Sequence, residues 1–255
     1  MERSPTTEEA LGPVLVEEEE GKLPFLVHLE ELRWRLVRSI LWTGLGMLVT
    51  FRFAREILAW FIRPVGTVVF LSPVEPFLAY LKVAFVGGIA VASPLIAWEM
   101  WGFFGPALFP RERRSIFLLV PVSVGLFFLG VWFCWRFLLP AGLKFLLSFA
   151  SENLTPMLTV GSYVSFAGWL LIGCGLVFQT PIVVMALARL GIVSPRTLLR
   201  QWRIAVVVIL VLAAVITPTP DVANQLLLAI PMGILYFLSV GLAFLVKKHD
   251  PIRAN

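Results

Sequence analysis

The sequence predicts an all-α polytopic membrane protein with six transmembrane helices, and three observations predict it. Of 255 residues, 59% are hydrophobic and only 15% charged, where a soluble domain carries about 25% charged residues. Mean hydropathy is +0.90. The apolar residues gather into six runs, most of them near the ~20 residues that cross ~30 Å of hydrocarbon. A lone apolar run in lipid can satisfy its backbone only as a helix.

Residues 1–23 contain Glu8, Glu9 and the run Glu17-Glu18-Glu19-Glu20, with no basic opening and no early apolar stretch. They read as a disordered, solvated acidic leader, not a cleavable signal peptide. Residues 24–246 are expected to form one transmembrane unit, with spans at 36–51, 77–98, 116–139, 163–187, 204–216 and 224–246. Residues 247–255 form a basic tail. No internal repeat is visible, so the inverted-repeat plan of many solute transporters is not expected.

Lys and Arg set the orientation. About thirteen fall on the side of residues 33–38, 111–114, 189–203 and 247–253, against about five on the other, and the richer side is expected to be cytoplasmic. Both termini are then inside. The five outside cations, Arg52, Arg55, Arg63, Arg136 and Lys144, are a mild conflict with that rule. Residues 54–61 alternate as a short helix lying in the interface would. The net charge of +5 reads as topology and lipid contact, and no nucleic-acid partner is expected.

The fifth run is short. Between Arg203 and Pro218 lie about fourteen residues, or ~21 Å of helix, ~9 Å less than a normal hydrocarbon core. Either the bilayer thins there or the last two helices are tightly tilted. The turn Thr217-Pro218-Thr219-Pro220-Asp221 follows at once.

Several polar groups sit at membrane depth. Lys82 either snorkels to the interface or faces the bundle near a partner such as Gln179. Gln179 precedes Pro181, which frees the carbonyl near Val177 and kinks the helix. It marks either a site of close helix approach or a structural interhelical hydrogen bond. Asp221 reads as the cap of the last helix, and Gln225 points into that span.

At the cytoplasmic side, Glu31 lies in His28-Leu29-Glu30-Glu31-Leu32-Arg33-Trp34-Arg35-Leu36, and Glu112 ends a segment stiffened by Pro94, Gly105, Pro106 and Pro110. The simplest reading pairs Glu31 with Arg35 at i,i+4, and Glu112 with its neighbouring arginines. The alternative is that two separated carboxylates read two consecutive arginines of a peptide, each through paired hydrogen bonds to a guanidinium.

These blocks carry a resemblance. With Ser93-Pro94 through Trp101-Gly102-Phe103 and Pro106-Ala107-Leu108 to Glu112-Arg113, and Thr217-Pro218-Thr219-Pro220-Asp221 through Gln225 to Pro231, the chain resembles the TatC family, the multispanning subunit of the twin-arginine translocase. The resemblance implies a concave, cup-like arrangement of the six helices and recognition of twin-arginine signal peptides on folded cargo. Glu31 and Glu112 are similar to the family's acidic signal-binding residues, with Leu29, Arg33, Phe103, Pro106 and Leu108 shaping that site. Asp221 and Gln225 fall near the family's contacts with single-span TatA/TatB-type partners, and Lys82 falls at a familiar position. At Gln179 many members carry Glu, and Phe237 stands where many carry an acid. The resemblance further implies a multi-copy complex in a bacterial or archaeal cytoplasmic membrane, driven by the proton-motive force.

No enzyme activity, cofactor or metal is expected. Cys134 and Cys174 lack a CxxC spacing, and His28 and His249 are the two histidines. There is no P-loop and no HExxH, which disfavours an ATPase or an intramembrane metalloprotease. A small-solute secondary transporter remains the alternative. It would need a charged intramembrane site, for which the chain offers Lys82 and Gln179.

Overall fold

The computed structural model describes residues 7–108, 113–151, 156–189, 191–217 and 221–248. In chain order the helices are α1 (Thr7–Arg52), α2 (Ala54–Ile62), α3 (Glu75–Leu108) and α4 (Arg113–Phe133). A π-helical turn (Cys134–Leu138) follows, then α5 (Leu139–Leu147), α6 (Val160–Val177), α7 (Thr180–Arg189), α8 (Pro195–Arg200), α9 (Trp202–Ile216) and α10 (Val222–Lys248). A single parallel bridge pairs Val69 with Thr159. The fold is all-α and polytopic. Four helical stretches, Glu75–Phe104, Phe117–Leu147, Val160–Ala188 and Val222–Phe244, are long and apolar enough to span a bilayer, and Trp202–Ile216 is a shorter apolar helix. The apolar half of α1 completes six.

α1 reaches back to Thr7, where the sequence reading expects a solvated leader to residue 23. The Glu-rich stretches favour helix, whereas Gly12, Pro13, Gly21 and Pro24 oppose it, so local propensity alone does not dictate that extension. α3 also runs further than expected. Residues 99–108 continue the helix instead of forming a stiff loop, and Pro94 lies inside it. Pro94 supplies no N–H to the Ala90 carbonyl, and the Ser93 hydroxyl donates to that carbonyl instead at 2.8 Å.

The same device serves the fourth span. Pro181 orphans the Val177 carbonyl, the Thr180 hydroxyl donates to it, and the helix breaks between α6 and α7 at Phe178-Gln179. The third span overruns its expected end at 139 by eight residues. Pro140 would clash with the carbonyl four residues back, and the π-turn relieves this. The Leu139 N–H reaches five residues back to the Cys134 carbonyl.

α1 and α3 pack with backbone contact. A Cβ on Gly46 would lie 2.5 Å from the Gly88 carbonyl oxygen, so both glycines let the helices approach. α9 spans 15 residues, about 22 Å, in keeping with the short fifth run.

Beside α2 the helices enclose a continuous core of Leu58, Phe61, Leu138, Tyr163, Leu170 and Leu228 with their neighbours. Toward the other end the bundle opens. α1, α3, α4, α6 and α7 line a concave groove of about 960 Å³. A small cluster of Trp101, Leu119 and Ile182 is buried there.

Candidate functional site

At the mouth of the groove Arg35 lies between two carboxylates. Its Nε and Nη2 donate to Glu31 Oε1 at 3.0 and 2.7 Å. Its Nη1 reaches Glu99 Oε2 and the Glu99 carbonyl oxygen on α3, each at 3.4 Å. Arg38 Nη1 stands 3.9 Å from the same Glu99 carboxylate.

One turn of α1 places Glu31 and Arg35 on the same face. Gly102 opens α3 for the guanidinium, since any Cβ there would collide with Arg35 Nη1. The Glu99 side chain is only 10% exposed, whereas Glu31 is 44% exposed. Glu99 is thus the buried anchor and Glu31 the accessible end of the cluster.

The expected site residues divide into separate places. Leu29 is exposed on α1 near Glu31, and Phe103 is buried on α3. Arg33 is exposed and lies about 200° round the helix from Glu31, so it faces away from the Arg35 cluster. Pro106 and Leu108 ride on the last turn of α3. Glu112 lies outside the described residues.

Gln179 lines the groove, and its Nε2 donates to the Ser123 carbonyl on α4 at 2.9 Å. The Ser123 hydroxyl accepts from Trp101 Nε1 at 2.7 Å. Ser123 therefore ties α3 to α4, and α4 to the kink between α6 and α7. Of the two readings of Gln179, the interhelical hydrogen bond is realised, on a surface that also faces the groove.

Lys82 is not near Gln179. Its Nζ donates to Ser165 Oγ at 2.7 Å, and it is exposed. That overturns the pairing of these two as one intramembrane site. Asp221 caps α10: Oδ2 accepts the Asn224 N–H at 2.8 Å and Oδ1 the Asn224 side-chain amide at 3.0 Å. Gln225 Nε2 donates to the Leu210 carbonyl at 3.0 Å and ties α10 to α9. Asp221, Gln225 and Lys82 thus sit away from the Glu31 cluster.

Sequence reasoning left Glu99, Gly102, Trp101 and Ser123 out of the site. One available signal was helical spacing. If α3 is continued past Trp98, Glu99, Gly102 and Phe103 fall on one face at i, i+3 and i+4.

A groove bordered by a carboxylate–guanidinium cluster, set among apolar helices long enough to span a bilayer, defines a multispanning membrane protein. Residues 27–231 match the model of the family described as Sec-independent protein translocase protein (TatC), and the chain belongs to that family. It is thereby a protein-translocase component. It is 37% identical over 236 residues to TatC of Carboxydothermus hydrogenoformans, covering 91% of this chain and 97% of that one. To TatC of Koribacter versatilis it is 38% identical, covering 97% and 94%. A crystal structure of the twin-arginine translocase receptor TatC superposes with a TM-score of 0.75 at 36% identity, covering 86% of this chain and 99% of that chain. A second, in DDM, gives 0.76 at 35%.

Proposed function

We propose that this chain is the signal-peptide receptor of a twin-arginine translocase, and that Glu31 and Glu112 accept the arginine pair of the signal. Leu29, Arg33, Phe103, Pro106 and Leu108 shape the surrounding surface. The observation that carries this reading is the Arg35 contact. Glu31 already accepts two N–H groups of a guanidinium at the mouth of an apolar groove, which is the chemistry an incoming arginine requires. An arginine of the signal would compete with Arg35 or join it, while Glu99 keeps Arg35 solvated by protein. The apolar stretch that follows the arginines in such a signal would enter the groove.

On this reading the Glu31 face is cytoplasmic, with both termini on that side of a bacterial or archaeal inner membrane. Residues 24–246 are the working membrane unit, between an acidic leader and a basic tail. The short α9 and the start of α10, with Asp221 and Gln225, offer a contact for single-span TatA/TatB-type helices, and several copies assemble in one complex. Gln179 and Lys82 serve as polar points for such helix contacts. The chain does not catalyse a reaction, and transport draws on the proton-motive force.

The test is binding of a labelled twin-arginine peptide to the detergent-purified chain, beside the same peptide with both arginines changed to lysine. Glu31→Ala and Glu112→Ala variants are run in parallel. The arginine peptide should bind more tightly, and either variant should erase that preference. Equal binding of both peptides, unchanged in the variants, would remove the assignment.

A further inference from the structure

The end of the molecule that carries α2 has a positive patch for which the receptor reading has no use. Exposed residues Arg55, Ala59, Arg63, Glu56 and Trp60 share one face of α2, within ~140° of its circumference. Ala54, Leu58 and Phe61 are buried on the other. Trp60 stacks on Trp135 of the π-turn, with ring centroids 4.2 Å apart and planes at 12°. That stack fastens α2 to the end of the third span and gathers cations from both elements. Arg136 follows Trp135 directly and lies over the Phe137 ring at 5.5 Å. Pro64, next to Arg63, lines a cavity of about 500 Å³ together with Pro140, Leu143, Lys144, Leu147 and Ser148.

Arg63, Arg136 and Lys144 are all exposed. Among the described residues no ion pair joins them to a carboxylate. The acid of the α2 face is Glu56, one against Arg55, Arg63, Arg136 and Lys144.

We propose that Arg63, Arg136 and Lys144, with the stacked Trp60–Trp135 pair, form a docking surface for the headgroup of an anionic phospholipid such as phosphatidylglycerol. The charge is of the right sign for a phosphodiester. The tryptophans suit the headgroup level, where amphipathic rings concentrate. Exposed Trp60, Trp132 and Phe137 and the prolines and leucines of the cavity supply an apolar wall for the acyl chains. A soluble anion would use the cations and gain nothing from that wall. The patch also explains why the cations stand against the charge bias of the other loops: bound lipid phosphates neutralise them. This inference does not depend on the receptor reading.

The test uses the full chain in neutral detergent, with lipid adducts counted by native mass spectrometry. Dioleoyl phosphatidylglycerol is titrated in one arm and dioleoyl phosphatidylcholine in another, with inorganic phosphate as competitor in a third. The double variant Arg63→Gln/Lys144→Gln is compared with Arg196→Gln/Arg200→Gln, which removes two exposed cations from α8. The native chain and the α8 variant should prefer the anionic lipid, and phosphate should not displace it. The Arg63/Lys144 variant should lose roughly fivefold in that preference for each cation removed. Equal binding of the two lipids, or a preference that survives in the Arg63/Lys144 variant, overturns the proposal. So does an equal loss in the α8 variant, or displacement by phosphate alone.

Discussion

At the end of the bundle that carries α2, distant segments are locked by hydrogen bonds onto backbone. The Tyr163 hydroxyl donates to the Phe61 carbonyl at 2.8 Å. Glu75 accepts the N–H of Leu71 at 2.9 Å and that of Gly161 at 2.9 Å. Val69 and Thr159 pair as strand residues do. At the Glu31 end the helices diverge around a groove, and their ties run through side chains that line or border it: Arg35 to Glu99, Gln179 to Ser123. One end is a closed core that holds the helices in register, and the other is an open, apolar-lined groove. Segregating the two lets the groove stay unfilled without loss of fold, since the packing that resists unfolding lies elsewhere.

The sharpest way to break this comparison is to make the same kind of deletion at both ends. Leu138, 1% exposed in the closed core, should cost about 2–5 kcal/mol as Leu138→Ala, because the cavity cannot collapse. Leu176, 63% exposed on the groove wall, should change stability by under about 0.5 kcal/mol as Leu176→Ala. Thermal unfolding in one detergent measures both. Equal losses would mean that the open end is as tightly packed as the closed one.

Glu75→Ala comes next in size. It removes the acceptor shared by the Leu71 and Gly161 N–H groups, and we expect a clear fall in unfolding temperature. The opening should be local, seen as faster proteolysis near residues 69–75, with signal-peptide binding unchanged. A loss of peptide binding would join the two ends functionally and end their separation.

Glu99→Gln tests the open end alone. The amide keeps the shape but drops the charge that faces Arg35 and Arg38. We expect a modest change in unfolding temperature and a several-fold weaker preference for the twin-arginine peptide, since Arg35, no longer drawn to Glu99, stays on Glu31 and competes with the incoming arginine. Unaltered peptide discrimination would make Glu99 structural only.

Much of this architecture was legible in the sequence because apolar run length reports directly on span. The kink at Pro181, the cap at Asp221 and the Glu31–Arg35 pair all follow from local rules, and the structure has each of them. The continuation of α3 past residue 98 was not legible. The apolar run ends at Trp98, Gly105, Pro106 and Pro110 read as a loop, and no local rule carries the helix on to Leu108. Glu99 was missed for the same reason, since its place beside Arg35 depends on that helix continuing. The short α8 also escaped, although Ser194 followed by Pro195 is a sound start signal: Ser194 caps it and the Tyr236 hydroxyl holds it through the Leu198 carbonyl. Register between α1 and α3 rests on Gly46 meeting Gly88, a pairing that no local rule specifies.

The smallest effect is also the most specific. Ser93→Ala leaves the Ala90 carbonyl without the hydroxyl that replaced a backbone donor, and should cost ~1 kcal/mol. Pro94→Ala restores an N–H at position 94, which can bond Ala90 directly and makes the hydroxyl redundant. In the Pro94→Ala background, Ser93→Ala should therefore cost almost nothing. A double-mutant cycle of unfolding free energies reads this as a coupling of ~1 kcal/mol between adjacent residues. The Thr180–Pro181 pair should show the same coupling at the other wall of the groove, because its hydroxyl serves the Val177 carbonyl in the same way. Independent costs at both pairs would mean that the hydroxyls are incidental, and that the proline-bearing helices of the open end are held by packing, as the closed end is.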